Sequence, residues 1–311
     1  MTIKSFFEFV EIRTKVASLI PLLLGAVFSI YRYQSFSWKN FSLMLMSLLS
    51  IDMATTAINN YIDCKKTRNL SDDCLEHNEN TAKAIISFLL LLAVLFGLLL
   101  FLNTDLVVLI IGVISFAVGI LYTYGPIPIS RMPLGEIFSG FFMGFVIVFL
   151  AVHVNAPDQN LVQILLNNAV LSINLKLVEV IYIFLFSIPA VGGIANIMLA
   201  NNICDMENDE KNKRYTLPVY IGKNKALKLF EFIYYAIYLD LLIAIVLKII
   251  PLNSILVFFT VYPVFRNVKK FVSNPDKELT FGISVKNFAL INFMYILSIY
   301  TRIYTRIASI K

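Results

Sequence analysis

The chain has 311 residues, 59% of them hydrophobic and only 15% charged, against roughly 45–50% and about 25% in soluble domains. At a mean hydropathy of +0.78, so few charges cannot cover a soluble globule of this size. That excludes a soluble enzyme, a disordered chain and a disulfide scaffold; the fold class expected is all-α, a polytopic membrane protein of about nine transmembrane helices of roughly 20 residues.

In chain order, Glu8 and Glu11 interrupt the first residues, so no cleavable signal peptide is expected. Spans are expected at 16–31, 41–60, 83–102, 105–122, 134–153, 178–200, 229–250, 252–265 and 287–303. Their apolar runs are continuous rather than alternating, which excludes an outer-membrane barrel. The second span carries Asp52 on the same helical face as Thr56, Asn59 and Asp63, so Asp52 either extends a polar site inward or hydrogen-bonds a neighbouring helix. It ends in Asn59-Asn60-Tyr61-Ile62-Asp63-Cys64-Lys65-Lys66. In the fifth span Gly140 and Gly144 form a Gly-x-x-x-Gly, read as close helix packing. The polar stretch 155–168 reads as a loop with room for an interfacial helix. The sixth span ends in Asn201-Asn202-Ile203-Cys204-Asp205-Met206-Glu207-Asn208-Asp209.

Both polar segments begin Asn-Asn-x-x-Asp at the same end of a long span, 142 residues apart. This echo points to an internal pseudo-repeat within a single domain, residues 1–311, with halves of about 1–130 and 131–311. Residues at i and i+4 share a helical face, so Asn59 sits beneath Asp63, and Asn201, Asp205 and Asp209 form a ladder. Hard divalent cations take oxygen ligands, and magnesium typically uses one or two carboxylates plus phosphate oxygens. Two such clusters facing each other would hold metal on either side of a diphosphate. Lys65, Lys66, Lys213 and Arg214 are close enough in sequence to grip the same anion.

Counted with nine spans, 19 of the 26 Lys and Arg residues fall on the side of the N-terminus. The positive-inside bias therefore expects the N-terminus and both motifs in the cytoplasm. The net charge of +6 then reflects topology and anionic lipid rather than nucleic acid. Cys64, Cys74 and Cys204 fit no zinc spacing and are expected to be reduced. His77 and His153 do not pair as ligands and read as solvated or interfacial. A transporter is the alternative class, since it too can repeat and line a cavity with carboxylates. Charges gathered at one membrane face rather than mid-span favour an enzyme.

These motifs resemble the UbiA superfamily of intramembrane aromatic prenyltransferases, and within it the 1,4-dihydroxy-2-naphthoate polyprenyltransferase branch. The first family motif, Asn-Asp-x-x-Asp, stands here as Asn59-Asn60-Tyr61-Ile62-Asp63, and the second, Asp-x-x-x-Asp, as Asp205 to Asp209. The following basic-Thr-Leu stretch to a Gly matches Arg214, Thr216, Leu217 and Gly222. Leu121-Tyr122-Thr123-Tyr124-Gly125-Pro126-Ile127-Pro128 with Leu134-Gly135-Glu136, and Arg13-Thr14-Lys15 with Pro21 and Gly25, complete the similarity. Asn60 departs from the family aspartate, and Asn69 stands near where another is expected; each removes a negative charge, so either Asp63 with Asp72 or Asp73 compensates or a first metal is held more loosely. The resemblance implies a UbiA-like bundle in the cytoplasmic membrane that transfers a prenyl group from a polyprenyl diphosphate to an aromatic acceptor, with Mg2+ as cofactor. It implies Asp63, Asp205 and Asp209 as metal ligands and Asn59, Lys65, Asn201 and Arg214 as donor-binding residues. Tyr122, Tyr124 and Arg131 would orient the acceptor, and the isoprenoid tail would lie against lipid.

Overall fold

A computed structural model describes residues 2–67, 79–123, 128–167 and 170–308. The helices in chain order are α1 (Ile3–Phe9), α2 (Val16–Phe28), α3 (Trp38–Thr67), α4 (Glu79–Asn103), α5 (Leu106–Thr123), α6 (Gly135–Ser139) and α7 (Ile147–Asn155). They continue as α8 (Leu177–Cys204), α9 (Met206–Lys211), α10 (Leu217–Ile221), α11 (Lys223–Val246), α12 (Val261–Ser273) and α13 (Gly282–Ala308). A π-helical stretch, Gly140–Val146, joins α6 to α7 in one span. Between α7 and α8 lie two strands, β1 (Val162–Asn167) and β2 (Val170–Leu175).

Among the described residues seven helices are long and apolar enough to cross a membrane: Val16–Tyr33, Trp38–Ile62, Glu79–Asn103, Gly135–Asn155, Leu177–Cys204, Lys223–Val246 and Gly282–Arg306. Leu106–Tyr122 is a shorter apolar helix. The expected span at 252–265 differs most: a 3-10 helix, Leu252–Thr260, starts after Pro251 and runs into α12. Helix α12 is amphipathic, with Val264, Val268 and Phe271 buried and Arg266, Lys269 and Lys270 exposed. The 155–168 stretch also departs from expectation, since β1 and β2 form an antiparallel hairpin in place of an interfacial helix.

The chain divides into two compact units, Met1–Leu19 with Ser37–Pro128, and Ile20–Phe36 with Ile129–Lys311. In the first, α3 and α4 pack side by side, and Val10, Ala54, Ala57 and Leu89 form a small core. Lys15 is 2% exposed and its ammonium donates to Asp52 Oδ1 at 2.8 Å, to the Asp52 carbonyl at 3.1 Å and to Thr56 Oγ1 at 2.7 Å. Ser18 donates to the other Asp52 oxygen at 2.6 Å. All three ammonium protons and both carboxylate oxygens are satisfied, which is what permits an ion pair this deep. Asp52 is thus a structural partner of the N-terminal segment.

In the second unit α8 is the central element, packed on α11, α13 and the π-helical stretch. A Cβ on Gly144 would fall 2.5 Å from Val191 Cα, and one on Gly140 2.9 Å from the Val191 carbonyl. The Gly-x-x-x-Gly therefore brings this span against α8 backbone to backbone. At the opposite end of α8 from the second motif, Arg32 grips Glu179 through two bonds of 2.7 and 2.8 Å, Tyr33 donates to Glu179 at 2.6 Å, and the guanidinium lies 4.8 Å from the Tyr182 ring centre. His153 is buried and stacked on Phe149 rather than interfacial.

Candidate functional site

The second motif sits where α8 stops. Asp205 leaves helical geometry (φ −96°, ψ 4°) and caps α8 before α9 begins. The backbone bonds Asp205 N–H to Asn201 carbonyl, 3.1 Å, and Asp209 N–H to Asp205 carbonyl, 2.8 Å, nevertheless run through the joint. The bend separates the expected ladder into two settings. Asn201 and Asp205 turn to the protein surface, where the Lys277 ammonium donates to Asn201 Oδ1 and to Asp205 Oδ2, the latter at 2.5 Å. Asp209 is 3% exposed; it accepts from Thr216 Oγ1 at 3.1 Å and faces the Arg214 guanidinium at 3.7 Å.

Local sequence explains why Arg214 reaches back. After α9, Lys213 adopts a left-handed conformation (φ +54°). Lys213 N–H then bonds the Glu210 carbonyl at 3.1 Å and Arg214 N–H the Asp209 carbonyl at 2.8 Å, the pair of bonds that closes a Schellman turn. Thr216 follows as the residue before α10, with Pro218 in its first turn, and Gly222 ends that helix at φ +84°, ψ 151°, a region open to glycine almost alone. Tyr215 N–H bonds the Arg131 carbonyl at 3.1 Å, so the Arg131 turn is tied to the same segment.

Two further residues complete the site, and the motif pattern did not disclose either role. Lys277 enters from the turn between α12 and α13, far away in sequence. Glu136 is buried and accepts from Asn202 Nδ2 at 2.8 Å. The Asn-Asn pair is therefore divided, Asn201 toward the surface cation and Asn202 toward the interior. Burial pushes the Asp209 carboxyl above the usual aspartate range; Arg214 and Thr216 pull it back, Asp205 pushes the same way as burial and Lys277 opposes it.

In the first motif, Asn59 is exposed on α3 and the backbone of Asp63 and Lys65 is helical, their side chains lying outside the described set. Asn60 serves the packing of the N-terminal segment. Its amide donates to the Phe9 carbonyl at 3.0 Å and to Glu11 Oε1 at 3.3 Å. An aspartate there could donate to neither, which gives a physical reason for the departure from the family pattern. Tyr122 lies in the last turn of α5. Tyr124, Asn69, Asp72, Asp73, Cys74 and His77 lie outside the described residues, and among the described residues Cys64 and Cys204 are in no disulfide.

No group of three or more His, Cys, Asp or Glu side chains able to hold a metal is found among the described residues. The donors at the second motif still fit magnesium, which binds through few carboxylates plus waters and phosphate oxygens. Asn201 Oδ1 and Asp205 Oδ2 turn oxygens to the same point, where they already embrace a cation in the form of the Lys277 ammonium.

Residues 18–284 match the UbiA prenyltransferase family. The chain is 29% identical over 296 residues to a 1,4-dihydroxy-2-naphthoate octaprenyltransferase of Bacillus subtilis, covering 92% of this chain and 88% of that protein. Among solved structures, a UbiA homologue of Aeropyrum pernix K1 superposes with a TM-score of 0.67 at 17% identity, covering 92% of this chain and 98% of that one. A UbiA homologue of Archaeoglobus fulgidus, bound to DMAPP and Mg2+, superposes at 0.60 with 13% identity, covering 96% and 99%.

Proposed function

Because this chain belongs to the UbiA prenyltransferase family, we propose that it transfers a polyprenyl group from a polyprenyl diphosphate to 1,4-dihydroxy-2-naphthoate in menaquinone biosynthesis, working at the cytoplasmic face of the cell membrane. The observation that carries this reading is the oxygen-lined cation position of Asn201 and Asp205 beside the Asp209–Arg214 pair. The Bacillus subtilis relative supplies the acceptor.

In this reading Asp205 and Asp209, with Asp63 of the first motif, hold Mg2+, which supplies charge neutralisation to the departing diphosphate. Arg214, Lys277 and Lys65 hold phosphate oxygens, Arg214 with the forked geometry suited to them. Asn59 and Asn201 fix those groups by hydrogen bonding. The bond between the allylic carbon and the diphosphate oxygen breaks with its electron pair on oxygen, and an electron pair of the acceptor ring forms the new carbon–carbon bond. Tyr122 and Tyr124 orient the ring, and Arg131 pairs with its carboxylate, which the family resemblance implies is then lost. Buried Thr216 keeps Asp209 aimed, so pre-organisation is built into the fold before the donor arrives.

Purified protein in vesicles, given Mg2+, a polyprenyl diphosphate and 1,4-dihydroxy-2-naphthoate, should release diphosphate and form the prenylated ring. Asp205→Ala and Asp209→Ala should each lower turnover by about 100-fold or more while the protein stays in the membrane fraction. Near-normal turnover in both variants, or solute flux with no diphosphate release, would overturn the reading.

A further inference from the structure

The hairpin between α7 and α8 carries a surface with no role in the chemistry above. Residues 159–175 contain no charged side chain, and the run is bracketed by Asp158 and Lys176. The register sets Val162 opposite Leu175, Ile164 opposite Ile173 and Leu166 opposite Leu171. Cross-strand partners share a face, so one face of the ribbon is aliphatic throughout. The other face pairs Gln163 with Asn174, Leu165 with Ser172 and Asn167 with Val170. On this face the β2 residues are open, Ile173 at 64% and Leu175 at 51% exposed, while Val162 and Ile164 opposite them are half-buried. An isolated two-stranded ribbon is marginal in water, and an aliphatic face needs a covering to persist.

We infer that this face lies on the lipid, at the boundary between headgroups and acyl chains on the membrane side opposite the second motif. Three observations select lipid as the occupant. The face runs on through Lys176 into Leu177, Val178 and Ile181, exposed apolar residues at the start of α8, whose surroundings as a span are acyl chains. The Arg32–Glu179 pair with Tyr33 and Tyr182 sits in the same first two turns of α8, and charged and aromatic side chains of this kind mark the water–lipid interface. The third observation fixes the depth. Leu161 carbonyl accepts from Lys176 N–H at 2.9 Å and closes the base of the ribbon, but a two-stranded sheet keeps two open edges. Unpaired backbone groups are not tolerated in the hydrocarbon core, so the ribbon lies flat at the interface, with Ile173 and Leu175 dipping inward and Ser172 and Asn174 in the hydrated layer.

The chain has one tryptophan, Trp38, so a Trp38→Phe background allows single reporters at four consecutive ribbon positions. Proteoliposomes of full-length Ser172→Trp, Ile173→Trp, Asn174→Trp and Leu175→Trp are examined with lipids brominated high or deep on the acyl chain. Quenching should alternate with the strand period of two, being about twofold or more stronger at 173 and 175 than at 172 and 174, and the shallow bromines should quench more than the deep ones. That alternation is a property of a folded strand on a surface and does not arise from a variant that fails to fold. Equal quenching at all four positions would overturn the inference. Blue-shifted but unquenched fluorescence at 173 and 175 would overturn it in favour of a second copy of the chain as the covering. Stronger quenching by the deep bromines would overturn the assigned depth.

Discussion

Asp209 and Lys277 are coupled through charge, and the coupling has a sign. The buried Asp209 carboxyl ionises above the usual aspartate range, and the Lys277 cation restrains that rise. A ligand for a divalent cation must be ionised, so the acidic limb of Mg2+ binding should lie above that of an ordinary aspartate. Lys277→Gln should move the limb to still higher pH, read by titrating metal binding across a pH series; an unmoved limb would separate Lys277 from Asp209. Asn60 makes a second case. Asn60→Asp forfeits two donated bonds and sets a carboxylate against Glu11. It should lower stability by about 1 kcal/mol in thermal unfolding, despite restoring the family letter. The carboxylates of the second motif stand out in the sequence because oxygen-rich residues at a helix end are rare in so apolar a chain, whereas the Asp63 side chain lies outside the described set. Lys277 was not, because the turn that carries it is brought to Asp205 by tertiary structure alone. Glu136 was visible only as one letter of a similar loop, and its bond to Asn202 needed the packing of α6 on α8 to be seen.

At the scale of elements, the Lys15–Asp52 pair ties the N-terminal segment to the helix that bears the first motif. Removing one partner leaves a buried uncompensated charge. Lys15→Met or Asp52→Leu alone should therefore cost about 3–5 kcal/mol, and the double variant distinctly less, measured as a double-mutant cycle in detergent unfolding; additive losses would show that the pair does not act as a unit. Sequence periodicity found the long uniform spans well, since runs such as 83–102 offer no competing pattern. It missed the change of helix type at 252–265, where the fourteen uncharged residues between Pro251 and Arg266 look like a short span. There the chain makes a 3-10 helix and passes into α12, whose Lys and Arg residues stay outward. It failed again at 162–175, where aliphatic residues alternate with polar ones only in β2. The strand period becomes plain once Val162 and Ile164 are seen opposite Leu175 and Ile173.

For the molecule as a whole, the lysine and arginine asymmetry predicts an orientation that labelling can check. In a cysteine-free background, Glu210→Cys beside the second motif should react with a membrane-impermeant thiol reagent in inverted vesicles and not in intact cells. Ser172→Cys on the hairpin should show the reverse; the same accessibility for both would contradict a span count that puts α9 and the hairpin on opposite sides. The resting place of Lys277 has a consequence at this scale too. With its ammonium lodged between Asn201 and Asp205, and Arg214 against Asp209, the fold presents neighbouring anions that are already offset. On the proposed function, a metal ion arriving alone would have to evict a tethered competitor, whereas one escorted by a pyrophosphate would offer the displaced lysine a new anion to hold. The lysine would thus favour joint arrival of cation and donor over premature loading with stray metal.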